Sequence, residues 1–262
     1  MPRQNTEAAM VHTNPVEQVL AGWLASPLGR HLVCERTFAA RPARTRPLPG
    51  WLDERLSAAL AAAGVRSLYD HQAQACEALR SGRNVVVATP TASGKTLCYN
   101  LPVFQTLLED PHARALYLFP TKALARDQVE AARSLAAAVD PSLGVAVYDG
   151  DTPVDHRRAA RQRARIIATN PEMLHTALLP HHPSWAEFLS GLRFIVIDEL
   201  HTYRGVFGGH FANVLRRLQR LCQFHGSAPR LVATSATIAN PAELAENLCG
   251  EPFELVDDSG AP

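Results

Sequence analysis

The run Thr89-Pro90-Thr91-Ala92-Ser93-Gly94-Lys95-Thr96 follows a short apolar stretch, Asn84–Thr89, and opens a helical pattern. A loop of small residues between strand and helix can point its backbone N–H groups inward. The helix N-terminus adds partial positive charge, and together they cradle phosphate. Thr91, Ala92, Ser93 and Gly94 would line that cradle, Lys95 would reach the terminal phosphates of ATP, and Thr96 would hold Mg²⁺. The loop departs from the pattern GxxxxGK[ST] at its first glycine, which is Thr89 here. A second run, Phe194-Ile195-Val196-Ile197-Asp198-Glu199-Leu200-His201, is an apolar strand ending in two carboxylates. Alone, such a pair reads equally well as a solvated helix cap. With a phosphate loop upstream, Asp198 suits a Mg²⁺ ion and Glu199 suits orienting and deprotonating an attacking water.

These residues need a scaffold that brings strand ends together. Short β-branched or apolar runs at Asn84–Thr89, Ala115–Phe119, Gly144–Tyr148, Arg165–Thr169, Phe194–Asp198 and Leu231–Thr234 read as strands. Helical patterns lie between most of them: Gly94–Leu108, Lys122–Ala138, Arg157–Arg163, Pro171–Leu178 and His210–Leu221. The alternation predicts an α/β fold with a mostly parallel sheet, covered by helices on both faces. Two further helices, Leu52–Ala63 and His71–Arg80, precede the first of these strands. The N-terminal segment carries one short helix, with Asn14 as cap, Pro15 at its first position and Val16, Val19, Leu20, Trp23 and Leu24 at helical spacing. Arginine and proline then crowd residues 41–50, which read as a basic linker, so residues 1–50 are set apart from a domain at 51–262.

The chain of 262 residues is 47% hydrophobic and 19% charged, which excludes a disordered or collagen-like protein and predicts a packed core. A net charge of +1 leaves any basic surface to be local. Five widely spaced cysteines without a CxxC pair fit reduced thiols in a cytoplasmic protein, and no apolar run is long enough for a membrane span. His175, His181 and His182 lack the partners of a zinc site, and Gly205, Gly208 and Gly209 do not make GxGxxG. Trp185 reads as a core anchor before a base-stacking platform.

Tyr69-Asp70-His71-Gln72, the phosphate loop, Pro120-Thr121-Lys122-Ala123-Leu124, Thr169-Asn170-Pro171-Glu172, Asp198-Glu199-Leu200-His201 and Ser235-Ala236-Thr237 follow one another in the order of motifs in superfamily-two DExH-type helicases. Tyr148-Asp149-Gly150-Asp151-Thr152-Pro153, Leu179-Pro180-His181-His182 and His201-Thr202-Tyr203-Arg204-Gly205-Val206-Phe207-Gly208 resemble the YprA/MrfA-type and Hrq-type DNA repair helicases, relatives of RecQ. The resemblance implies a RecA-like first lobe. It implies that Gln72 reads adenine, although a glutamine on a helix is otherwise solvent-facing. His201, Ser235 and Thr237 would couple loss of the γ-phosphate to the nucleic-acid groove; Ser235 and Thr237 could instead cap the helix at Asn240-Pro241.

On the nucleic-acid side the resemblance places Thr121, Lys122, Arg126, Gly150, Thr169 and Asn170, where hydroxyls, backbone N–H groups and helix N-termini suit phosphate oxygens of DNA with a single-stranded region. Lys122 and Arg126 could also be ordinary exposed helix charges. The run Arg157, Arg158, Arg161, Arg163 and Arg165 reads first as a solvated face and second as a DNA contact. Helicases of this class resemble two lobes with ATP between them, the second donating an arginine finger. The sequence accounts for the first lobe, so a partner lobe in cis or trans is expected, with no membrane association.

Overall fold

The computed structural model describes residues 15–34, 36 and 41–262. Asn14, the expected cap of the first helix, lies outside the described residues. The chain divides into two compact units, 1–41 and 42–262. The first holds helix α1, Pro15–Ala25, and a 3₁₀ turn, Pro27–His31.

The second unit begins in the run expected to be a linker. Thr45–Pro47 is strand β1, and it pairs antiparallel with β2, Ser67–Tyr69, in the register Thr45↔Tyr69 and Pro47↔Ser67. The expected boundary at residue 50 is therefore corrected to 41. Proline is tolerated because β1 has a neighbour on one side only. Between these strands runs α2, Glu54–Ala62, capped by the Asp53 carboxylate on Arg55 N–H. Helix α3, Asp70–Arg80, follows β2 directly.

The remaining strands are β3 Val85–Val87, β4 Arg114–Leu118, β5 Val145–Val147, β6 Ile166–Thr169, β7 Leu192–Ile197, β8 Arg230–Thr234 and β9 Glu254–Val256. They form one sheet in the order β5-β6-β4-β7-β8-β3-β9, and every pairing is parallel. All the strands therefore end at one edge. The connecting helices are α4 Lys95–Glu109, α5 Lys122–Val139, α6 Val154–Arg163, α7 Pro171–Met173, α8 Ala186–Ser190, α9 Gly205–Phe224 and α10 Pro241–Cys249. The central strands are buried throughout, and successive residues alternate between two cores. Val85, Val87, Tyr117 and Val196 join the core under α2–α5, whereas Val86, Leu116, Ile195 and Ile197 join that under α9 and α10.

Local chemistry moves several element bounds. After Met173 the expected helix loosens into a π turn, Leu174–Leu178, and a 3₁₀ run, Leu179–Trp185, whose Pro180 and Pro183 disfavour regular hydrogen bonding. Trp185 is buried at the end of this run, edge-on to Tyr148 at 4.9 Å, and is a core anchor. Helix α9 starts five residues earlier than its apolar spacing suggests. Gly208 makes this possible, since a Cβ there would lie 2.5 Å from the Tyr203 carbonyl oxygen. Cys76, Cys98, Cys222 and Cys249 are buried thiols; burial pushes Cys222 up to about 11 and Cys76 and Cys249 up to about 12. No helix among the described residues is long and apolar enough to cross a membrane, and none of their His, Cys, Asp or Glu side chains cluster as a metal site.

Candidate nucleotide and nucleic-acid site

The sheet order sorts the candidate residues into two groups. The ends of β3, β8 and β7, neighbours in the sheet, carry the phosphate loop, Ser235 and Asp198; the ends of β4, β6 and β5 carry Thr121, Asn170 and Gly150.

In the first group, the loop between β3 and α4 turns through two left-handed residues, Ala92 at φ 62° and Gly94 at φ 78°. Gly94 is required by its φ, and a Cβ there would also displace the end of the Gln72 side chain, whose Nε2 lies 2.7 Å away. Ala92 holds the same region without being glycine, a strain of the kind that concentrates at functional loops. The missing first glycine has a structural counterpart: the buried Thr89 and Ser93 hydroxyls bond each other at 2.7 Å and clip the loop shut. The Ser93 side chain is thereby committed, which leaves its backbone to the cradle. Lys95 Nζ donates to the carbonyl oxygens of Thr89 and Pro90, both at 2.9 Å, across the mouth of the loop. The Thr96 hydroxyl donates to Gln128 Oε1 at 3.0 Å, a partner on α5 that no motif announced. As a donor it keeps both lone pairs for a cation.

The Gln72 amide is committed within the protein. Its Oε1 accepts from Tyr69 N–H at 2.9 Å and its Nε2 donates to the Gly94 carbonyl at 2.9 Å, with only 3% of the residue exposed. It braces α3 against the phosphate loop instead of standing open to solvent. Next to it, buried His71 places Nε2 3.0 Å from the Ser93 carbonyl and accepts from Gly260 N–H through Nδ1 at 3.3 Å. One neutral tautomer satisfies both contacts, and burial pushes its pKa down. Sequence reasoning passed over His71 because a lone histidine beside a motif glutamine carries no signal of its own.

Asp198 ends β7, 8% exposed, and accepts a hydrogen bond from the buried Thr234 hydroxyl on the adjacent β8. Burial raises its pKa, the Thr234 bond opposes the rise, and neighbouring Glu199 adds to it. Glu199 sits at φ 51°, a second left-handed position held by a residue with a side chain. Its Oε2 lies 3.2 Å from His201 Nδ1, the same nitrogen that accepts from Ala236 N–H at 3.2 Å. A proton on Nδ1 serves Glu199 and a lone pair serves Ala236, so the contacts alternate with the tautomer. His201 thus joins the carboxylate pair to Ser235-Ala236-Thr237. Helix α10 takes Asn240 as its N-cap residue, so Ser235 and Thr237 are not its caps. Thr237 is exposed, while the Ser235 hydroxyl is buried without a partner.

The second group is more changed by the structure. Thr121 caps α5, accepting from Leu124 N–H at 3.4 Å, and stays exposed. Asn170 accepts from Met173 N–H at 2.8 Å. The Thr169 hydroxyl is withdrawn from the set: it is buried and donates to the Tyr148 carbonyl at 2.6 Å. Lys122 and Arg126 are exposed, yet both are paired with the Asp151 carboxylate at 2.9 and 3.3 Å. Asp151 follows Gly150 in a loop held by Asp149, whose Oδ1 accepts from Asp151 N–H and the Thr152 hydroxyl. Two of the clustered arginines brace the backbone. Arg157 donates to the Asp149 and Gly150 carbonyls, and Arg165 to those of Leu107, Asp110 and Ala113.

A phosphate loop, a buried aspartate two strands away and a linked histidine, all at the carboxyl edge of a parallel sheet, define a RecA-like nucleotide-binding lobe. Residues 69–244 match the DEAD/DEAH box helicase family, and the chain belongs to that family. It is 54% identical over 222 residues to the ATP-dependent helicase YprA of Bacillus subtilis (strain 168), spanning 85% of this chain and 30% of that protein. The ATP-dependent helicase HRQ1 of Saccharomyces cerevisiae is 43% identical over 202 residues, 75% of this chain and 19% of its own length. In structure the chain resembles the helicase MrfA bound to DNA, with a TM-score of 0.84 and 53% identity over 86% of this chain and 32% of that one. The chain therefore spans a third or less of these relatives. The DEAD-box helicase Mss116, at 19% identity and a TM-score of 0.68, shares the fold.

Proposed function

We propose that this chain is the ATP-binding first lobe of a DNA-dependent ATPase and helicase acting in DNA repair, whose turnover needs a second RecA-like lobe in cis or trans. The observation that carries the reading is the convergence of the loop Thr89–Thr96, Asp198 with Glu199, and the His201–Ala236 contact on three adjacent strand ends. The donor set fits Mg²⁺–ATP. Lys95 rests on two carbonyls that phosphate oxygens can replace, Thr96 keeps its lone pairs, and Asp198 is a buried carboxylate whose pKa burial raises, with the Thr234 hydroxyl and the Lys95 charge opposing the rise.

Thr96 and Asp198 would hold Mg²⁺, which would neutralise charge building on the transferred phosphoryl group. The backbone of Thr91–Gly94 and the Lys95 ammonium bind and orient the phosphates, Glu199 orients the attacking water and accepts its proton, and His201 passes the change at Glu199 to Ala236. Thr121, Gly150 and Asn170, with Lys122 and Arg126 once released from Asp151, hold a nucleic-acid backbone without reading bases. The MrfA structure described as bound to DNA supports DNA as the polymer.

Purified 1–262 should bind ATP and single-stranded DNA with near-background hydrolysis, because the arginine finger, worth about 10³–10⁵ in rate, comes from the other lobe. Adding a matching second lobe should restore DNA-stimulated turnover. Robust hydrolysis by 1–262 alone, lost in Lys95→Ala, would contradict this division of labour.

A further inference from the structure

A groove of about 470 Å³ runs between α9 and the segment that begins at Pro171; motif residues reach its rim at Pro171, Glu172 and Phe207, while His210, Val214, Arg217 and Arg220 lie outside the motifs. The core face of α9 is Phe211, Leu215, Leu218 and Cys222. A neighbouring stripe, Phe207, His210, Val214 and Arg217, forms one wall; Pro171, Glu172 and His175 form the other. The groove is apolar at its floor and basic along α9.

Three observations bear on its occupant. The first is aromatic. Tyr203 stacks on Phe211 at 4.1 Å and 21°, and Phe207 stacks on Tyr203 at 5.4 Å and 22°. Tyr203 and Phe211 are buried, while Phe207 is 49% exposed, so the column of near-parallel rings reaches solvent at Phe207. A flat π-face there suits a base of any identity. The second is charge. Among the described residues no carboxylate lies within ion-pair distance of Arg217 or Arg220, and Glu172 is the one acid in the walls. Lys122 and Arg126, by contrast, are already paired with Asp151. The third is continuity: Pro171 and Glu172 follow Asn170 directly, and α9 starts just beyond the strand end that carries Asp198.

We propose that this groove is a second nucleic-acid subsite, taking a single-stranded segment that continues past Asn170, with an unpaired base stacked on Phe207 and phosphates along Arg217 and Arg220. Ten residues of helix separate Phe207 from Arg217, roughly 15 Å at 1.5 Å per residue, a run of about four nucleotides at 3.4 Å. A base inside a duplex cannot offer its face to a side chain, so the subsite selects single strands. The proposal rests on the nucleic-acid reading above.

The test is fluorescence anisotropy of a labelled oligothymidylate with purified 1–262 across a salt series, beside calorimetry of Mg²⁺–ATP binding. Arg217→Ala/Arg220→Ala should weaken oligonucleotide binding more than about tenfold and flatten the slope of log affinity against log salt by roughly 1.4, two phosphates at about 0.7 each. Phe207→Leu, which keeps apolar bulk but loses the ring, should weaken binding at least about fivefold with the slope unchanged. ATP affinity should stay at the parent value in both. Binding lost in Asn170→Ala but unchanged in both groove variants would overturn the groove and leave the proposed function standing. A parent that binds no oligonucleotide would overturn both. Groove variants that lose a glutamate-rich peptide while keeping DNA would assign the groove to a protein partner and overturn the subsite.

Discussion

Thr234→Val isolates the contact that makes a buried aspartate usable. Thr234 is fully buried in β8 and its hydroxyl donates to Asp198, which is 8% exposed. Valine matches threonine in shape and lacks the donor, so the substitution leaves an ionised carboxylate buried without that bond. A hydrogen bond to a charged group contributes about 1.5–3 kcal/mol. For a unit the size of 42–262, each kcal/mol moves Tm by about 2–4 °C, so Tm should fall by about 3–12 °C at pH 8. The bond favours the charged form of Asp198. Its stabilisation is therefore present above the Asp198 titration and shrinks as pH falls through it. Melting curves of parent and variant at pH 8, and at the lowest pH where the parent still unfolds cooperatively, should show the gap narrowing toward acid. An unchanged Tm at pH 8, or an equal drop at both pH values, would refute the reasoning.

Asp198→Asn should act in the opposite sense. Burial raises the Asp198 pKa, so the neutral form's stability is lost as pH rises through the folded-state value. The asparagine variant should melt above the parent at pH 8, the advantage vanishing in acid, while calorimetry shows Mg²⁺-dependent nucleotide binding lost. Asp151→Asn frees Lys122 and Arg126, and should tighten single-stranded DNA binding by about two- to fivefold at low salt and steepen its salt dependence in anisotropy titrations. Gly208→Ala forces a Cβ to within 2.5 Å of the Tyr203 carbonyl oxygen and should cost about 1–3 kcal/mol in urea unfolding.

The chemistry was legible where it sits on strand ends, because Asn84–Thr89 and Phe194–Asp198 announce both the strand and the residues that follow it. What side chains do with one another was not. Gln72 has the residue type of an adenine reader, but only the fold shows its amide held between Tyr69 and Gly94. Thr169 looks like an open hydroxyl and is spent on the Tyr148 carbonyl. Lys122 and Arg126 look available until Asp151, distant in sequence, pairs with both. Among elements, β1 and β9 were missed because each is three residues long at an edge, where pairing partners decide more than propensity. The Arg/Pro run reads as a linker by composition, yet the Arg44 N–H donates to the Gly260 carbonyl at 2.9 Å, a partner no local pattern reveals.

The central claim, that Thr89–Thr96 and Asp198 together form a Mg²⁺–ATP site, is tested most directly by calorimetric titration of Mg²⁺–ATP into 1–262 and into its Lys95→Ala variant. Removing the ammonium that now rests on Thr89 and Pro90 should weaken binding by more than about tenfold, the worth of one charge-assisted hydrogen bond, with the melting curve of the free protein little changed. Equal affinity in parent and variant would contradict the assignment.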